Sequence, residues 1–247
     1  TKALALIESI YGKQEETYNT DYIAEEGVQY SFFSELFDIP FPSVEKPKFT
    51  FIDLFAGIGG FRMAMQNIGG KCVFSSEWDA QAQKTYLLNY GEMPFGDITK
   101  ESTKSFIPDD FDVLCAGFPC QAFSMAGKKL GFEEARGTLF FDVAEIIKRK
   151  RPKAFFLENV KGFTHGKFQP IHDQLVKDLI EMGYGETPLA KVVLNSKDYG
   201  IPQNRERLWI FAYKGKLPAE FSLIPPMEDE YTPPRLHEFL DQEPPAS

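Results

Sequence analysis

Reactive side chains lie next to apolar segments at three places in the chain. Cys120 closely follows one such segment, Glu158 lies near the end of another, and Arg205 and Arg207 precede a third. An α/β sheet presents its chemistry at the carboxyl ends of its strands. Cys120 is therefore a candidate nucleophile, and Glu158 a candidate general acid or base-reading carboxylate. Two guanidiniums on one face of a strand can hold a carboxylate, a phosphate or a base.

Each of these residues also has a plainer interpretation. Most cysteines are small hydrophobic residues, and we interpret Cys72 and Cys115 in that way. Cys120 would attack only as a thiolate, which requires positive charge or a helix N-terminus nearby. An acid satisfied by neighbouring backbone N–H groups at Glu158, and arginines at a solvated strand end, remain alternatives at this point.

A glycine-rich turn that leads from an apolar segment into a helical segment predicts a nucleotide-like ligand. Gly57 and Gly60 in this turn let the backbone approach a ligand at a helix N-terminus. Glu77 follows at the end of the next apolar segment, where an acid can accept hydrogen bonds from both hydroxyls of a ribose. Trp78 offers a face for stacking, and Asp97 a carboxylate for an adenine amino group.

The spacing of this turn narrows the choice of ligand. It differs from the dinucleotide fingerprint, and no Lys-Ser/Thr pair follows the glycines, which excludes a phosphate-cradling P-loop. Asp53 lies just ahead of the glycines, so a nucleoside with a cationic group fits better than a pyrophosphate. We therefore expect S-adenosylmethionine, with a nicotinamide cofactor or purely structural glycines as the alternatives.

A loop that combines glycines with basic residues follows Cys120. Glycine hinges and bases beside a candidate nucleophile predict a mobile lid that contacts phosphates, and a flexible surface loop is the alternative. Its glycines and bases are Gly127, Lys128, Lys129, Gly131, Arg136 and Gly137.

Composition places the chain among globular proteins of a reducing compartment. The 247 residues are 43% hydrophobic and 26% charged, which excludes wholesale disorder. No apolar run approaches the roughly 18 residues of a membrane span. Three cysteines do not make a disulfide framework, and no Cys-x-x-Cys pair indicates zinc. We expect a cytoplasmic protein with neither a membrane segment nor a metal.

The net charge of −9 is unevenly distributed along the chain. Segments 1–47 and 220–247 each carry a net charge of −6, whereas segment 48–219 carries +3. Because the acidity lies at the two ends, the whole-chain charge does not exclude a polyanionic partner. It does argue against a protein that coats DNA generically.

Apolar periodicity predicts alternating strands and helices from residue 49 onward. This alternation predicts an α/β fold with a mostly parallel sheet covered by helices on both faces, and it admits an antiparallel edge among the last strands. The predicted strands are 49–55, 71–78, 111–118, 154–160, 189–194 and 208–213. The predicted helices run from the glycines to about 68, and over 79–89, 137–150 and 168–182. The inner side of helix 137–150 is predicted to carry Phe140, Phe141, Ala144, Ile146 and Ile147.

By composition, the chain divides into three regions, and the middle one contains the alternating strands and helices. Segment 1–48 is predicted to be an N-terminal extension and linker, with a short helix over 1–10. Segment 49–217 is predicted to be the catalytic domain. Segment 218–247 is a proline-rich acidic tail, with at most a short helix at 236–240.

Seven short motifs, in this order, resemble those of the cytosine-C5 DNA methyltransferases. The resemblance runs from about residue 49 to 213 and implies a Rossmann-like S-adenosylmethionine-dependent methyltransferase fold. The motifs occupy residues 53–62, 77–79, 96–98, 117–121, 136–140, 158–160 and 203–207.

The resemblance also implies a mechanism. Cys120 would attack C6 of a cytosine, and Glu158 would bond at N3 and the exocyclic amine. Arg207, supported by Arg205, would position the base and Glu158. C5 would then take the methyl group of S-adenosylmethionine, leaving S-adenosylhomocysteine, after which loss of the C5 proton and elimination of Cys120 close the cycle. The base must be flipped out of double-stranded DNA to reach these groups.

The resemblance also implies which residues contact the cofactor and the DNA, because they occupy positions that make these contacts in the family. The residues expected at the cofactor are Phe55, Gly57, Ile58, Gly60, Glu77, Trp78, Asp97, Ile98, Pro119 and Leu139. The residues expected at DNA are Gln121, Ser124, Lys128, Lys129 and Arg136.

The sequence departs from the family pattern after the arginine motif. Members normally continue into a target-recognition domain and a segment that returns to the cofactor pocket, which are absent before Ser247. We therefore expect the larger subunit of a split restriction-modification methyltransferase, completed by a second polypeptide. A tRNA cytosine methyltransferase and a non-catalytic cofactor-binding subunit are the competing hypotheses. The single proline of Gly117-Phe118-Pro119-Cys120-Gln121 favours DNA over tRNA, and the intact reactive residues favour catalysis.

Overall fold

A computed structural model describes residues 39–118, 139–164, 169–184, 190–215 and 221–224. The chain divides into two compact units, Thr1–Phe111 and Asp112–Ser247, which we describe in turn. The helices predicted at 1–10 and 236–240 lie outside the described residues, as does the loop after Pro119. The domain boundaries predicted near 48 and 217 stay predictions.

In unit 1, two parallel strands alternate with helices. Strand β1 (Phe49–Leu54) pairs in parallel with β2 (Gly70–Ser76), and helix α1 (Gly60–Asn67) connects them. Helix α2 (Ala80–Tyr90) and the single turn α3 (Glu101–Lys104) follow. The β1 sequence is rich in aromatic and β-branched residues and its last four residues are buried, as expected of a central strand.

Helix α2 has clear signals at both of its ends. The Asp79 side chain accepts hydrogen bonds from the backbone N–H groups of Gln81 and Ala82, which makes Asp79 the N-cap. Gly91 ends the helix in the left-handed conformation, at φ +71°. These caps fix where α2 begins and ends, and its two ends lie beside the glycine turn and the predicted ribose acid.

Unit 2 contains four strands in the order β3-β4-β6-β5. They are β3 (Val113–Gly117), β4 (Ala154–Val160), β5 (Ala190–Asn195) and β6 (Glu206–Tyr213), with helices α4 (Leu139–Lys150) and α5 (Gln169–Glu181). Strands β3 and β4 are parallel, whereas β6 runs antiparallel to both β4 and β5. An antiparallel strand is present among the last strands, as predicted, but it is β6, which lies between β4 and β5, and not the edge strand β5. The α/β class of the fold is as predicted.

Two local predictions were wrong. The buried face of α4 carries Val143 together with Phe140, Ile146 and Ile147, whereas Phe141 and Ala144 are only partly buried. Strand β6 begins at Glu206, two residues earlier than predicted, because its first residues pair with Asn195 and Leu194 of β5. This earlier start places Arg207 inside a paired strand.

Two kinds of feature, membrane-spanning helices and clusters of metal-binding side chains, do not occur among the described residues. No described helix combines the length and the hydropathy that crossing a bilayer requires. Across the described segments, no three His, Cys, Asp or Glu side chains gather in a way that would hold a metal ion.

Candidate active site

The glycine turn in unit 1 is tied to the predicted ribose acid. The Oε2 atom of Glu77 accepts a hydrogen bond from the Gly57 N–H at 2.7 Å. Its Oε1 atom accepts the N–H groups of Trp78 and Asp79, both at 2.9 Å. Since a carboxylate oxygen has two lone pairs, Oε1 is fully used and Oε2 keeps one. Glu77 can therefore accept one ribose hydroxyl as it stands, and a second only by exchanging a turn bond.

The backbone of this turn adopts conformations that few residues tolerate. Phe55 has φ +58°, unusual for a non-glycine residue, and such strain is typical of functional turns. Gly59 has φ +95°, and a Cβ atom there would lie 2.1 Å from a ring carbon of Tyr90. A glycine is therefore required at position 59 by both conformation and space. By contrast, a Cβ on Gly57 or Gly60 meets nothing within 4 Å.

Trp78 and Asp97 each keep a group free that could contact a ligand. Trp78 is 77% exposed, although it follows a buried strand. Phe95 bridges in parallel to Ser76, which brings the segment that carries Asp97 beside the end of β2. Asp97 Oδ1 accepts the Thr99 N–H at 2.9 Å, and Oδ2 has no partner among the described residues. The exposed ring and the free oxygen fit a purine.

The other predicted cofactor residues have varied environments. Ile58 is exposed beside the turn, and Gly60 is the first residue of α1. Ile98 is buried, so its side chain is not open to a ligand in this structure. Leu139 is the first residue of α4 in unit 2 and is partly buried. Pro119 lies outside the described residues.

In unit 2, the predicted acid is paired with both predicted arginines. The Arg207 Nε lies 2.8 Å from Glu158 Oε1, and an Arg205 Nη2 lies 3.9 Å from the same oxygen. Glu158 pairs with Trp209 across the β4–β6 ladder, so Arg207, two residues away on β6, shares its face. The carboxylate is 19% exposed, which leaves it accessible but poorly hydrated. The two arginines that alternate in sequence do converge on one carboxylate.

The second oxygen of Glu158 remains available. Both arginines approach Oε1, and Oε2 has no partner among the described residues. Lys161 and Glu206 pair at 2.9 Å, so the charges that flank this site neutralise each other. The arrangement is a carboxyl held rigidly on one side by guanidiniums and open on the other.

Asn159 connects β4 to the segment that leads to the candidate nucleophile. Its Nδ2 donates to the Phe118 carbonyl at 3.0 Å, and its Oδ1 accepts the Val160 N–H at 2.8 Å. Asn159 is buried. Sequence analysis assigned it no role, although its place beside Glu158 in a motif was the available signal. Cys120 itself lies outside the described residues, together with Gln121, Ser124, Lys128, Lys129 and Arg136.

A buried polar cluster lies beneath the turn in unit 1, and sequence analysis had noted only its Asp53, as an acid near the cationic group of a ligand. Arg62 is fully buried and donates to Glu92 at 2.7 Å and to Tyr86 at 3.1 Å. Asp53 is fully buried as well, and its oxygens meet no hydrogen-bond partner within the described part of the chain. Burial, which outweighs the attraction of Arg62, raises the pKa of Asp53 to about 7. Burial also raises the pKa of Cys72 to about 12, so that thiol is inert, as predicted.

Comparison with known proteins decides the family. The family model for C-5 cytosine-specific DNA methylase matches residues 49–242. The chain belongs to this family. Within this methylase family, the Type II methyltransferase M.HpaII of Haemophilus parainfluenzae is 59% identical over 192 residues, covering 77% of this chain and 52% of the relative. M.HhaI of Haemophilus parahaemolyticus is 52% identical over 169 residues, covering 68% of this chain and 50% of the relative.

Solved structures support the methylase fold. The DNMT2 structure from Spodoptera frugiperda aligns with a TM-score of 0.63 at 22% identity, covering 79% of this chain and 60% of that one. A putative DNA modification methyltransferase of an Escherichia coli prophage aligns with a TM-score of 0.55 at 24% identity, covering 68% and 47%. At this identity the likeness concerns the fold alone.

The match to the methylase relatives is partial in length. The chain spans about half the length of the curated relatives it matches. The resemblance to cytosine-C5 DNA methyltransferases is confirmed.

Proposed function

We propose that this chain carries the catalytic residues of a DNA (cytosine-5-)-methyltransferase of a bacterial restriction-modification system. The observation that carries the proposal is the Glu158 carboxyl, bound on Oε1 by Arg207 at 2.8 Å and open at Oε2. A flipped cytosine presents an acceptor at N3 beside a donor amine, and a carboxyl with one free edge matches that pair when it holds a proton. Family membership supplies the reaction class.

Glu77, Trp78 and Asp97 are the residues proposed to hold S-adenosylmethionine. An exposed indole, a carboxylate with a spare lone pair and a free carboxylate oxygen fit the adenine and ribose of this cofactor. The bound cofactor supplies an electrophilic methyl group on a sulfonium. The donor set needs no metal for this task.

The proposed reaction begins with bond formation at the pyrimidine. The Cys120 thiolate adds to C6 while Glu158 holds a proton at N3, so that electron density moves to C5. Arg207 and Arg205 keep Glu158 in place and stabilise the charge that develops near it. C5 would accept the methyl group, leaving S-adenosylhomocysteine. Loss of the C5 proton to a base, return of the N3 proton to Glu158 and elimination of Cys120 would then restore the aromatic ring, the acid and the thiolate.

A covalent trap tests this proposal. DNA that contains 5-fluorocytosine cannot lose its C5 substituent as a proton, so a stable adduct with the chain should form in the presence of S-adenosylmethionine. Cys120→Ser should abolish the adduct, whereas Cys115→Ala, at a fully buried thiol, should retain it. If the chain forms no adduct with DNA even when the expected second polypeptide is added, or forms it equally well without Cys120, the proposal fails.

The residues that recognise the DNA target sequence are proposed to lie outside the region in which this chain matches its relatives. The finer hypothesis, that a second polypeptide carries them and forms a heterodimer with this chain, stays a prediction of the sequence. The proposed setting is the bacterial cytoplasm, on double-stranded DNA.

A further inference from the structure

Two neighbouring residues at the end of α2 hold two successive carbonyls of the glycine turn. Asn89 Nδ2 donates to the Ile58 carbonyl at 3.2 Å, and the Tyr90 hydroxyl donates to the Gly59 carbonyl at 2.6 Å. Both bonds join residues 31 positions apart in the chain. No ligand contact is expected of either side chain, so their role must act through the turn.

The Tyr90 ring is fixed from several sides. It is 3% exposed, and the Arg62 guanidinium carbon lies 4.6 Å from its centroid. The rings of Tyr86 and Phe41 lie 4.7 and 5.8 Å away. Because no Cβ fits between Gly59 and this ring, the turn and Tyr90 are in direct contact. A hydroxyl on such an immobile ring defines where the Gly59 carbonyl can lie.

Fixing a carbonyl also fixes the N–H on the other side of the same peptide. All described peptides are trans, and in a trans peptide the C=O and N–H groups point in opposite directions. The Gly59 carbonyl accepts both Tyr90 and the first α1 bond from Met63, so the Gly60 N–H must point away from α2. That N–H has no partner among the described residues, and the space beside Gly60 is open.

We propose that Asn89 and Tyr90 are positioning residues that preorganise the glycine turn for S-adenosylmethionine. The inference rests on the proposed function, since it concerns the same cofactor site. Glu77 binds the turn through the Gly57 N–H, and Gln83 of α2 donates to the Glu77 carbonyl at 2.5 Å. Helix α2 thus holds the ribose acid near its first turn and the glycine turn at its last, which lowers the ordering cost of binding.

A matched pair of Tyr→Phe variants separates this role from general packing. Tyr86 lies on the same helix and is equally buried, but its hydroxyl meets Arg62 and Cys72 and not the turn. In the full chain, Tyr90→Phe should raise the Kd for S-adenosylmethionine about five- to tenfold, the effect of one lost hydrogen bond. Tyr86→Phe should leave the Kd within about twofold even if it lowers the Tm comparably. In methyl transfer, Tyr90→Phe should raise the cofactor KM and leave kcat at saturation unchanged.

Asn89→Asp provides a second measurement on a partly exposed side chain that is not part of the core. This change replaces the donor with an acceptor beside the Ile58 carbonyl, so it should weaken cofactor binding at least as much as Tyr90→Phe does. The control Asn67→Asp, at the end of α1, should leave cofactor binding unchanged. Unchanged Kd values for Tyr90→Phe and Asn89→Asp overturn this inference alone. Equal weakening by Tyr86→Phe also overturns it. A wild-type chain that binds no S-adenosylmethionine overturns the cofactor assignment together with it.

Discussion

At the scale of single residues, the pairing of Glu158 with Arg207 fixes how the carboxyl of Glu158 is presented to the proposed base. A carboxyl that lies 2.8 Å from a guanidinium on one oxygen has its orientation fixed before a base arrives. Its other oxygen is then directed by covalent geometry alone. Such a group can discriminate cytosine from thymine, because thymine has a donor at N3 and no exocyclic amine.

Replacing this acid with its amide tests the assignment. Glu158→Gln keeps the size of the side chain but removes the acid, so the charge that develops on the ring loses its partner. We expect kcat to fall by about 10²- to 10³-fold, as for loss of one preorganised electrostatic group. Glu206→Gln, which breaks only the exposed pair with Lys161, should stay within about threefold. Comparable losses for both variants would show that the effect is unspecific.

Asp53 gives the stability of the protein an unusual dependence on pH. Its pKa of about 7 in the folded protein exceeds the ordinary value of 3.8, so the folded state binds the proton more tightly than the unfolded state. The resulting stabilisation is complete below about pH 4, declines as the pH rises, and is lost above about pH 7. A pKa shift of this size corresponds to roughly 4 kcal/mol in the free energy of unfolding.

Asp53→Asn should remove this dependence, because an amide does not titrate. We compare the two proteins by the free energy of unfolding of wild type minus that of the variant. This difference should decrease as the pH rises from about 4 to about 7, and the variant should be the more stable protein at pH 8. Denaturant unfolding across this range measures the difference. Asp110→Asn, at an exposed position, serves as the control. It should leave the dependence of the free energy of unfolding on pH as it is in wild type. A wild-type-minus-variant difference that rises with pH would contradict the interpretation.

At the scale of elements, the end of β4 joins three parts of unit 2. Its Glu158 binds the start of β6, and its Asn159 binds the carbonyl of Phe118, which follows β3. Phe118 also packs against Phe140 and Phe163, with centroids 5.8 and 5.5 Å away. One strand end therefore sets the position of the acid and of the backbone two residues before Cys120.

Truncating Asn159 should loosen this connection. Asn159→Ala leaves the buried Phe118 carbonyl without its donor, which should cost about 1–3 kcal/mol of stability. The rate of adduct formation with 5-fluorocytosine DNA should fall about tenfold or more under conditions where the variant is folded, since the nucleophile's backbone is less well held. Asn204→Ala, which breaks an exposed amide pair with Asn195, should alter neither quantity appreciably. An adduct rate that matches wild type would exclude a positioning role for Asn159.

At the scale of the whole molecule, the charge is unevenly distributed along the chain. Its net charge is −9, with the acidity in segments 1–47 and 220–247, so long-range attraction to DNA is weak. It spans about half the length of its relatives. The hypothesis of a split enzyme, which stays a prediction, assigns base chemistry and cofactor binding to this chain and most major-groove readout to a second polypeptide.

Methylation of a DNA library of random sequence tests this division of labour. The chain alone should form little product, and that product should show no sequence preference beyond the target cytosine. Adding the proposed complementing polypeptide should restore both rate and sequence preference. A tRNA substrate in parallel distinguishes the RNA hypothesis. Full sequence-specific methylation of DNA by this chain without a partner would sink the prediction.

Much of this protein follows from its sequence alone. Chain order and short-range periodicity predict the alternating strands and helices, because burial and backbone geometry act over a few residues. The positions of Glu77, Glu158 and Arg207 near strand ends were predictable for the same reason, whereas their roles stay predictions. An antiparallel strand among the last strands was foreseen, but the place of β6 between β4 and β5 and its early start at Glu206 depend on strand pairing.

Only the tertiary structure decided which groups meet across long separations. The contacts of Tyr90 with Gly59, of Asn159 with Phe118 and of Arg62 with Glu92 join residues 30 to 41 positions apart. The buried face of α4 was likewise set by what packs against it. The raised pKa of Asp53 arises from complete burial, a property of three-dimensional packing that neither its residue type nor its neighbours in sequence specify.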